Sequence, residues 1–414
     1  MELKLERPRR FAVLRNRGLL TLMLGHFTVD SYSGILPIMY PFLIQRFDLD
    51  LKTVGLVSLA YMGTASLSQP FFGWIADRYG TRFIGAALIW TATLYAMIGF
   101  ATSFPMLLLL AAAAGFGSGA YHPFGALNAS AVSPPRQRNT AMSVYVTGGT
   151  VGFAMGPLIG AALFTTFGLR GTALMFLPGA LAALWMLVEM RTVALRRRDK
   201  NAPPAEPHAR IPVVPLLAVI AVMMSRAWTV QSLEAFIPTW YASLGYSARF
   251  YGPLASVVVL ASAVGTIGTG NLADRFGRRA VILGSLLLTI PAILLFAEFT
   301  GPPAFVTGAL IGLTAASTAP LMLVMAQQLM VGRAGVASGL LLGLGFVTGA
   351  LGVPATGALA DAYGMETAMR AQVLVVIATI GIAWLLPSEK FLGSFSATPP
   401  PPSLAPEAMP EHPV

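Results

Sequence analysis

The sequence predicts an all-α membrane protein of twelve transmembrane helices arranged as two pseudo-symmetric six-helix bundles, and two observations carry that expectation. The first is composition: of 414 residues, 56% are hydrophobic and 11% charged, and long apolar runs follow one another almost without pause. Runs of about twenty apolar residues match the hydrocarbon thickness as helices, which satisfy their own backbone groups; barrel strands would be half as long and alternating. The second is an internal repeat. Gly73-Trp-Ile-Ala-Asp77-Arg78-Tyr-Gly80-Thr-Arg82 returns as Gly270-Asn-Leu-Ala-Asp274-Arg275-Phe-Gly277-Arg-Arg279, 197 positions later. The same offset maps Pro123 onto Pro320, Gly148 onto Gly345, Gly152 onto Gly349, Pro157 onto Pro354 and Gly160 onto Gly357. Parallel duplicated halves of this length are a mark of secondary transporters.

The elements follow in order. Residues 1–17 are a basic segment ahead of a first helix too long for a cleavable signal core, so that helix is expected to stay. The predicted spans are 18–45, 52–76, 83–103, 105–130, 138–167 and 171–190, a first bundle over 18–190. A linker over 191–212 holds Arg196-Arg-Arg198 and Pro203-Pro204, which suits a solvated segment near anionic lipid. The second bundle, 213–390, has spans 213–243, 250–273, 280–299, 303–330, 335–360 and 367–386. The tail, 391–414, with Pro399 to Pro402, has the composition of a disordered end.

The net charge of +10 is distributed as a membrane topology demands. With both termini in the cytoplasm, 21 of the 27 Lys and Arg residues fall on that side, and five (Arg46, Lys52, Arg170, Arg249, Arg370) on the other. In short loops this bias sets orientation, so both ends are expected in the cytoplasm of a cell (inner) membrane protein. The basic clusters lack interleaved stacking residues, so no nucleic-acid partner is expected. Cysteine is absent, which excludes disulfides and thiolate chemistry. Two intramembrane histidines without cysteine are a weak ligand set, and neither a metal nor another cofactor is expected beyond a proton gradient.

Five ionisable residues lie well inside predicted helices: His26, Asp30, His122, Arg226 and Glu234. Such groups are costly in hydrocarbon and face a partner or a water-filled cavity. His26 and Asp30, four apart, share a face of the first helix, which suits a proton site or a polar pair that joins two helices. His122, a further candidate for proton coupling, precedes Pro123, which leaves a carbonyl free one turn back, and polar groups near such a break can line a cavity or serve structure alone. In the seventh helix, Arg226 could clamp an anionic group, with Trp228, Gln231 and Tyr32 as further cargo contacts; Glu234 could take a second proton or a cationic group. The alternative for Arg226 and Glu234 is a structural ion pair. The first and seventh helices are copies of one another, since Leu36-Pro37-x-x-Tyr40 matches Ile237-Pro238-x-x-Tyr241.

Gly148, Gly152, Gly156 and Gly160, beside Pro157, form an i, i+4 stripe on the fifth helix, partly repeated on the eleventh as Gly345, Gly349 and Gly357. Small residues let backbones approach closely, as static packing or as an interface that shifts. In the repeated loop, Gly80 and Gly277 permit a tight turn, and Gly73 and Gly270 share the same spacing to Asp77 and Asp274. These carboxylates could pair with Arg78, Arg82, Arg275 or Arg279, or with a helix N-terminus, in one conformation only, as a latch.

These residues resemble the major facilitator superfamily over about 18–390. Gly152-x-x-x-Gly156-Pro157-x-x-Gly160 is similar to the motif of its proton-coupled antiporters. Within the superfamily, the chain looks most like the fosmidomycin-resistance protein group. That likeness rests on His26-x-x-x-Asp30, on Gly117-Ser-Gly-Ala-Tyr-His122-Pro123, on Gly148-Gly149, and on Ala326-Gln327 through Ser338-Gly339. It departs in having Val29 where the group often has a polar residue. The resemblance implies a non-enzymatic, monomeric carrier that exports drugs or other toxic small molecules against inward proton flow. An uptake carrier for an organic anion is the alternative.

Overall fold

The computed structural model describes residues 16–132, 138–190, 211–330 and 334–396. All regular structure in these residues is helical. The chain runs α1 (Arg17–Phe47), α2 (Leu51–Ser58), a π-helical turn (Leu59–Gly63), α3 (Thr64–Tyr79), α4 (Ile84–Ile98), α5 (Phe104–Ala131) and α6 (Arg138–Phe167). A 3₁₀ segment (Gly168–Met175) leads into α7 (Phe176–Glu189). Then come α8 (Val213–Ser243), α9 (Ala248–Phe276), α10 (Arg278–Glu298), α11 (Ala304–Ile311), a second π turn (Gly312–Ala316) and α12 (Ala319–Leu329). The described chain ends with α13 (Ala334–Tyr363), α14 (Met365–Ala383) and α15 (Glu389–Ser396).

Among the described residues, eight helical stretches are long and apolar enough to cross a membrane. Leu67, Leu109, Val264, Ile267 and Leu374 are among the large apolar side chains left exposed on the outer surface. That is the surface of a multi-pass membrane protein, whose exterior is solvated by lipid rather than water.

Three features depart from uniform rods. The predicted second and tenth spans are each interrupted by a π turn. The sixth begins as a 3₁₀ segment. Part of the predicted tail is ordered: Glu389–Ser396 is helical, and Glu389 meets Arg278 at 2.6 Å. The basic segment before Asn16, most of the linker and the tail beyond Ser396 lie outside the described residues.

The sequence repeat reappears as repeated contacts. A Cβ on Gly115 of α5 would overlap the carbonyl oxygen of Tyr61, and one on Gly312 that of Val258, each position 197 residues beyond its counterpart. Gly152 of α6 presses on the Phe27 carbonyl of α1, and Gly349 of α13 on the Ala227 carbonyl of α8. The halves also meet one another twice in the same way. A Cβ on Gly55 of α2 would stand 2.9 Å from the Pro354 backbone of α13, and one on Gly252 of α9 would stand 2.9 Å from the Pro157 carbonyl of α6. Both crossings are near the start of α2 and α9, the end of the molecule away from the start of α1.

At that same end, Asp361 of α13 accepts hydrogen bonds from the backbone N–H groups of Leu51 and Lys52, each at 2.8 Å. The first N–H groups of a helix have no intrahelical acceptor and carry the positive end of its dipole, so a carboxylate there is doubly favourable. Asp50 serves the next N–H from within the same half, accepting from Thr53 at 2.7 Å. At the opposite end, Gly73, Gly268, Gly270, Gly339 and Gly343 face open space.

Candidate functional site

The site is built where α1, α5 and α6 converge. Helix α1 can lie directly against α6 because Gly148, Gly152 and Gly156 bring the two backbones together, near Met23, Phe27 and Gly34 respectively. The glycine stripe is therefore intrahalf packing, and the contact between halves belongs to its neighbour Pro157.

Close approach leaves one more glycine facing the charged pair. A Cβ on Gly149 would lie 2.5 Å from Asp30 Oδ2 and 2.6 Å from His26 Nε2. In the second half Phe346 holds the equivalent position.

His26 Nε2 stands 3.3 Å from Asp30 Oδ2, and His122 Nε2 reaches Asp30 Oδ1 from α5 at 3.6 Å. Read from sequence, His122 has a proton-coupling role but no contact with the other two; the structure makes one cluster of three. On its other side, His26 Nδ1 lies 2.9 Å from the Tyr145 carbonyl, and its ring stacks on the Tyr145 ring at 4.2 Å. A carbonyl can only accept, so Nδ1 carries the hydrogen. Nε2 then faces a carboxylate, and two lone pairs that close require a positive particle between them. Asp30 and His122 keep 21% and 28% of their side chains exposed, so the cluster is reachable rather than sealed.

Position 226 lies on the helix that copies α1, and there the chemistry differs. Arg226 is buried and donates through one nitrogen to the carbonyls of Ala315 at 2.9 Å and Ala316 at 3.0 Å. The cause is legible: Pro320, at the start of α12, has no N–H to offer the carbonyl four residues back, and the π turn loosens the ladder beside it. Arg226 replaces the missing donor. Its second terminal nitrogen lies 3.9 Å from the Met223 sulfur. No ion pair joins Arg226 to Glu234 among the described residues.

Glu234 is partly buried and borders a small apolar pocket where the halves meet, together with Gly34, Pro37, Phe153, Pro157 and Val258. Trp228 is partly buried beside Gly352, and Gln231 is buried against Gly349 with its carbonyl oxygen unpartnered. Tyr32 is not brought to this group. It is fully buried in the first half, donates to the Met175 carbonyl at 3.0 Å and stacks on Tyr95 at 4.8 Å. A tyrosine two residues from an intramembrane charge reads from sequence as a cavity residue, but that spacing is half a turn and puts it on the packed face of α1.

In the repeated loops, Gly80 and Gly277 adopt φ of 78° and 83°, which side chains with a Cβ resist. Arg78 lies over the Trp74 and Tyr79 rings, and Arg82 over Phe83. Arg279 donates to the Trp384 carbonyl. Asp274 and Arg275 are exposed and have no ion pair among the described residues; the Asp77 side chain lies outside them.

Comparison with known proteins agrees with this architecture. The model of the Major Facilitator Superfamily matches residues 22–268 and again 217–411. The chain belongs to the Major Facilitator Superfamily, a superfamily of membrane transporters and not of enzymes. It is similar to the uncharacterized MFS-type transporter YfnC of Bacillus subtilis (strain 168), 33% identical over 387 residues, 90% of this chain and 93% of that one. It is also similar to the fosmidomycin resistance protein of Escherichia coli (strain K12), 29% identical over 354 residues, 83% of this chain and 86% of that one. A crystal structure of a bacterial homologue of the human lysosomal transporter Spinster, inward-facing and occupied, shares the fold. Its TM-score is 0.78 at 19% identity, over 93% of this chain and 99% of that one. These relatives support a role in transport of drugs or other small molecules.

Proposed function

We propose that the chain is a proton-coupled antiporter that exports drugs or toxic small molecules from the cytoplasm by alternating access. In this reading twelve helices form two six-helix bundles in the cell (inner) membrane, both termini are cytoplasmic, and the protein works as a monomer. The observation that carries it is the cluster of His26, Asp30 and His122. The tautomer imposed on His26 by the Tyr145 carbonyl demands a positive charge beside Asp30, and the partial exposure of Asp30 and His122 lets that charge exchange. Trp228, Gln231 and Glu234 contact cargo, while Arg226 acts through helix geometry.

The contacts at Gly55, Gly252 and Asp361 support a conformation closed on the extracytoplasmic side, with the repeated loops unlatched on the cytoplasmic side. Uptake of an organic anion is less well supported, because Arg226 is engaged by two carbonyls.

The test is growth of an efflux-deficient bacterium on a drug panel that includes fosmidomycin, with wild type or Asp30→Asn at matched membrane levels. Protection by wild type alone is expected. Equal protection by Asp30→Asn would reject the coupling role, and no protection by either would reject export.

A further inference from the structure

We propose that His26, Asp30 and His122 also form a three-ligand site for a divalent transition-metal ion of the zinc class, with a further coordination position on the partly exposed side of Asp30 and His122. The spacing is the first argument. Charge-assisted hydrogen bonds between these groups are about 2.7–2.9 Å long. The observed separations of 3.3 and 3.6 Å are longer, and the three donor atoms lie within 4.8 Å of one another. Zinc bonds to nitrogen and carboxylate oxygen of about 2.0–2.2 Å imply tetrahedral edges of about 3.3–3.6 Å. His26 and His122 each stand in that range from Asp30, but from its two different oxygens, so binding would draw both imidazoles in toward one carboxylate oxygen.

The donor set is the second argument. Two imidazoles and one carboxylate suit zinc and its transition-metal neighbours, whereas calcium and magnesium take oxygen ligands. Three protein ligands with a fourth position free is the arrangement of a zinc site that exchanges what it holds. The outer shell is the third. A metal-bound histidine ordinarily donates its other ring N–H to a carbonyl or carboxylate, which fixes the tautomer and aims the free lone pair. His26 does so to the Tyr145 carbonyl at 2.9 Å.

The close fit of Gly149 is the fourth argument: it lies directly against the donors, and a Cβ there, 2.5 Å from Asp30 Oδ2 and 2.6 Å from His26 Nε2, would press on both. With neutral imidazoles, a dication and one carboxylate leave a net positive charge, so the open position favours an anionic oxygen donor from water or from cargo.

This inference shares residues with the transport reading but does not depend on it. Its test adds Co²⁺ alone, as a visible-light probe for zinc, to the purified full-length protein in detergent. The chain has no cysteine to contribute thiolate absorption. The expected result is a tetrahedral Co²⁺ absorption band that saturates at one ion per chain, is displaced by Zn²⁺, and weakens at least tenfold in Asp30→Asn and in His122→Gln. Gly149→Ala, checked for fold by circular dichroism, should weaken it likewise.

Wild-type protein that retains no ion, or Asp30→Asn that binds Co²⁺ as wild type does, overturns the site. Wild type that protects cells yet binds no Co²⁺ removes the metal and leaves transport standing; Co²⁺ binding without protection does the reverse.

Discussion

Asp361 holds Leu51 across the boundary between the two halves: its carboxylate accepts the first N–H groups of α2 at 2.8 Å from the end of α13. The carboxylate meets both the free donors and the positive end of the helix dipole, so it closes this end of the molecule by charge as well as shape. Asp361→Ala should loosen that closure. In this cysteine-free chain, a single cysteine at Leu51 reports it directly, and its maleimide labelling should quicken several-fold in the Asp361→Ala background. An unchanged rate would mean that Gly55 and Gly252 hold the end shut without it.

Gly149→Val should abolish transport while leaving the protein in the membrane, because its side chain would occupy the space at Asp30 and His26. Gly343→Ala is the matched control, since nothing lies within 4 Å of a Cβ there. Drug protection at equal expression separates them; equal loss in both would point to general intolerance of α6 and α13 rather than to the site.

Arg226→Ala should cost stability more than it costs recognition. It removes the donor that replaces the missing N–H of Pro320, and a buried carbonyl left unpaired costs about 1–3 kcal/mol. A lower unfolding temperature in detergent, partly restored by Arg226→Lys, is the expected result. A variant as stable as wild type but unable to bind cargo would return Arg226 to direct recognition.

The tether between α15 and α10 should release in acid. Hydrogen bonds from the Arg278 side chain and backbone hold the Glu389 carboxyl below its ordinary range. A carboxylate with a lowered folded pKa contributes above the unfolded value, about 4.3, and that contribution is lost as pH falls through the folded one. Hydrogen exchange of α15 should therefore rise below about pH 4, and Glu389→Gln should exchange quickly at every pH. Uniform protection of α15 in both proteins would remove the tether.

Much of this was legible in the chain. The recurrence of Gly73 to Arg82 at Gly270 to Arg279 reveals duplication without any structure, and Pro123 and Pro320 mark where helix backbone lacks a donor. His26 and Asp30 announce a shared face by spacing alone. What spacing cannot supply is the rotation of one helix against another. That rotation brings His122 of α5 to Asp30, turns Gly149 rather than Gly148 toward the charge, and buries Tyr32 away from it. Asp361 stayed hidden for a similar reason, since a lone acid near a helix end gives no sign of a partner some three hundred residues earlier. Arg226 misleads because its partners are main-chain carbonyls, which no residue type advertises.

Gly55 with Pro354 and Gly252 with Pro157 have a mechanical consequence. Two separate pivots define a line, and rigid bodies that keep both have a single rotation left to them. At Gly55 the neighbours are main chain alone, and at Gly252 they are the Pro157 carbonyl and the short Ala161 methyl, so neither crossing has a long side chain that can bend to absorb error. If the halves rock as proposed, these crossings would confine the motion to one degree of freedom, about an axis set by Gly55, Gly252 and Gly357.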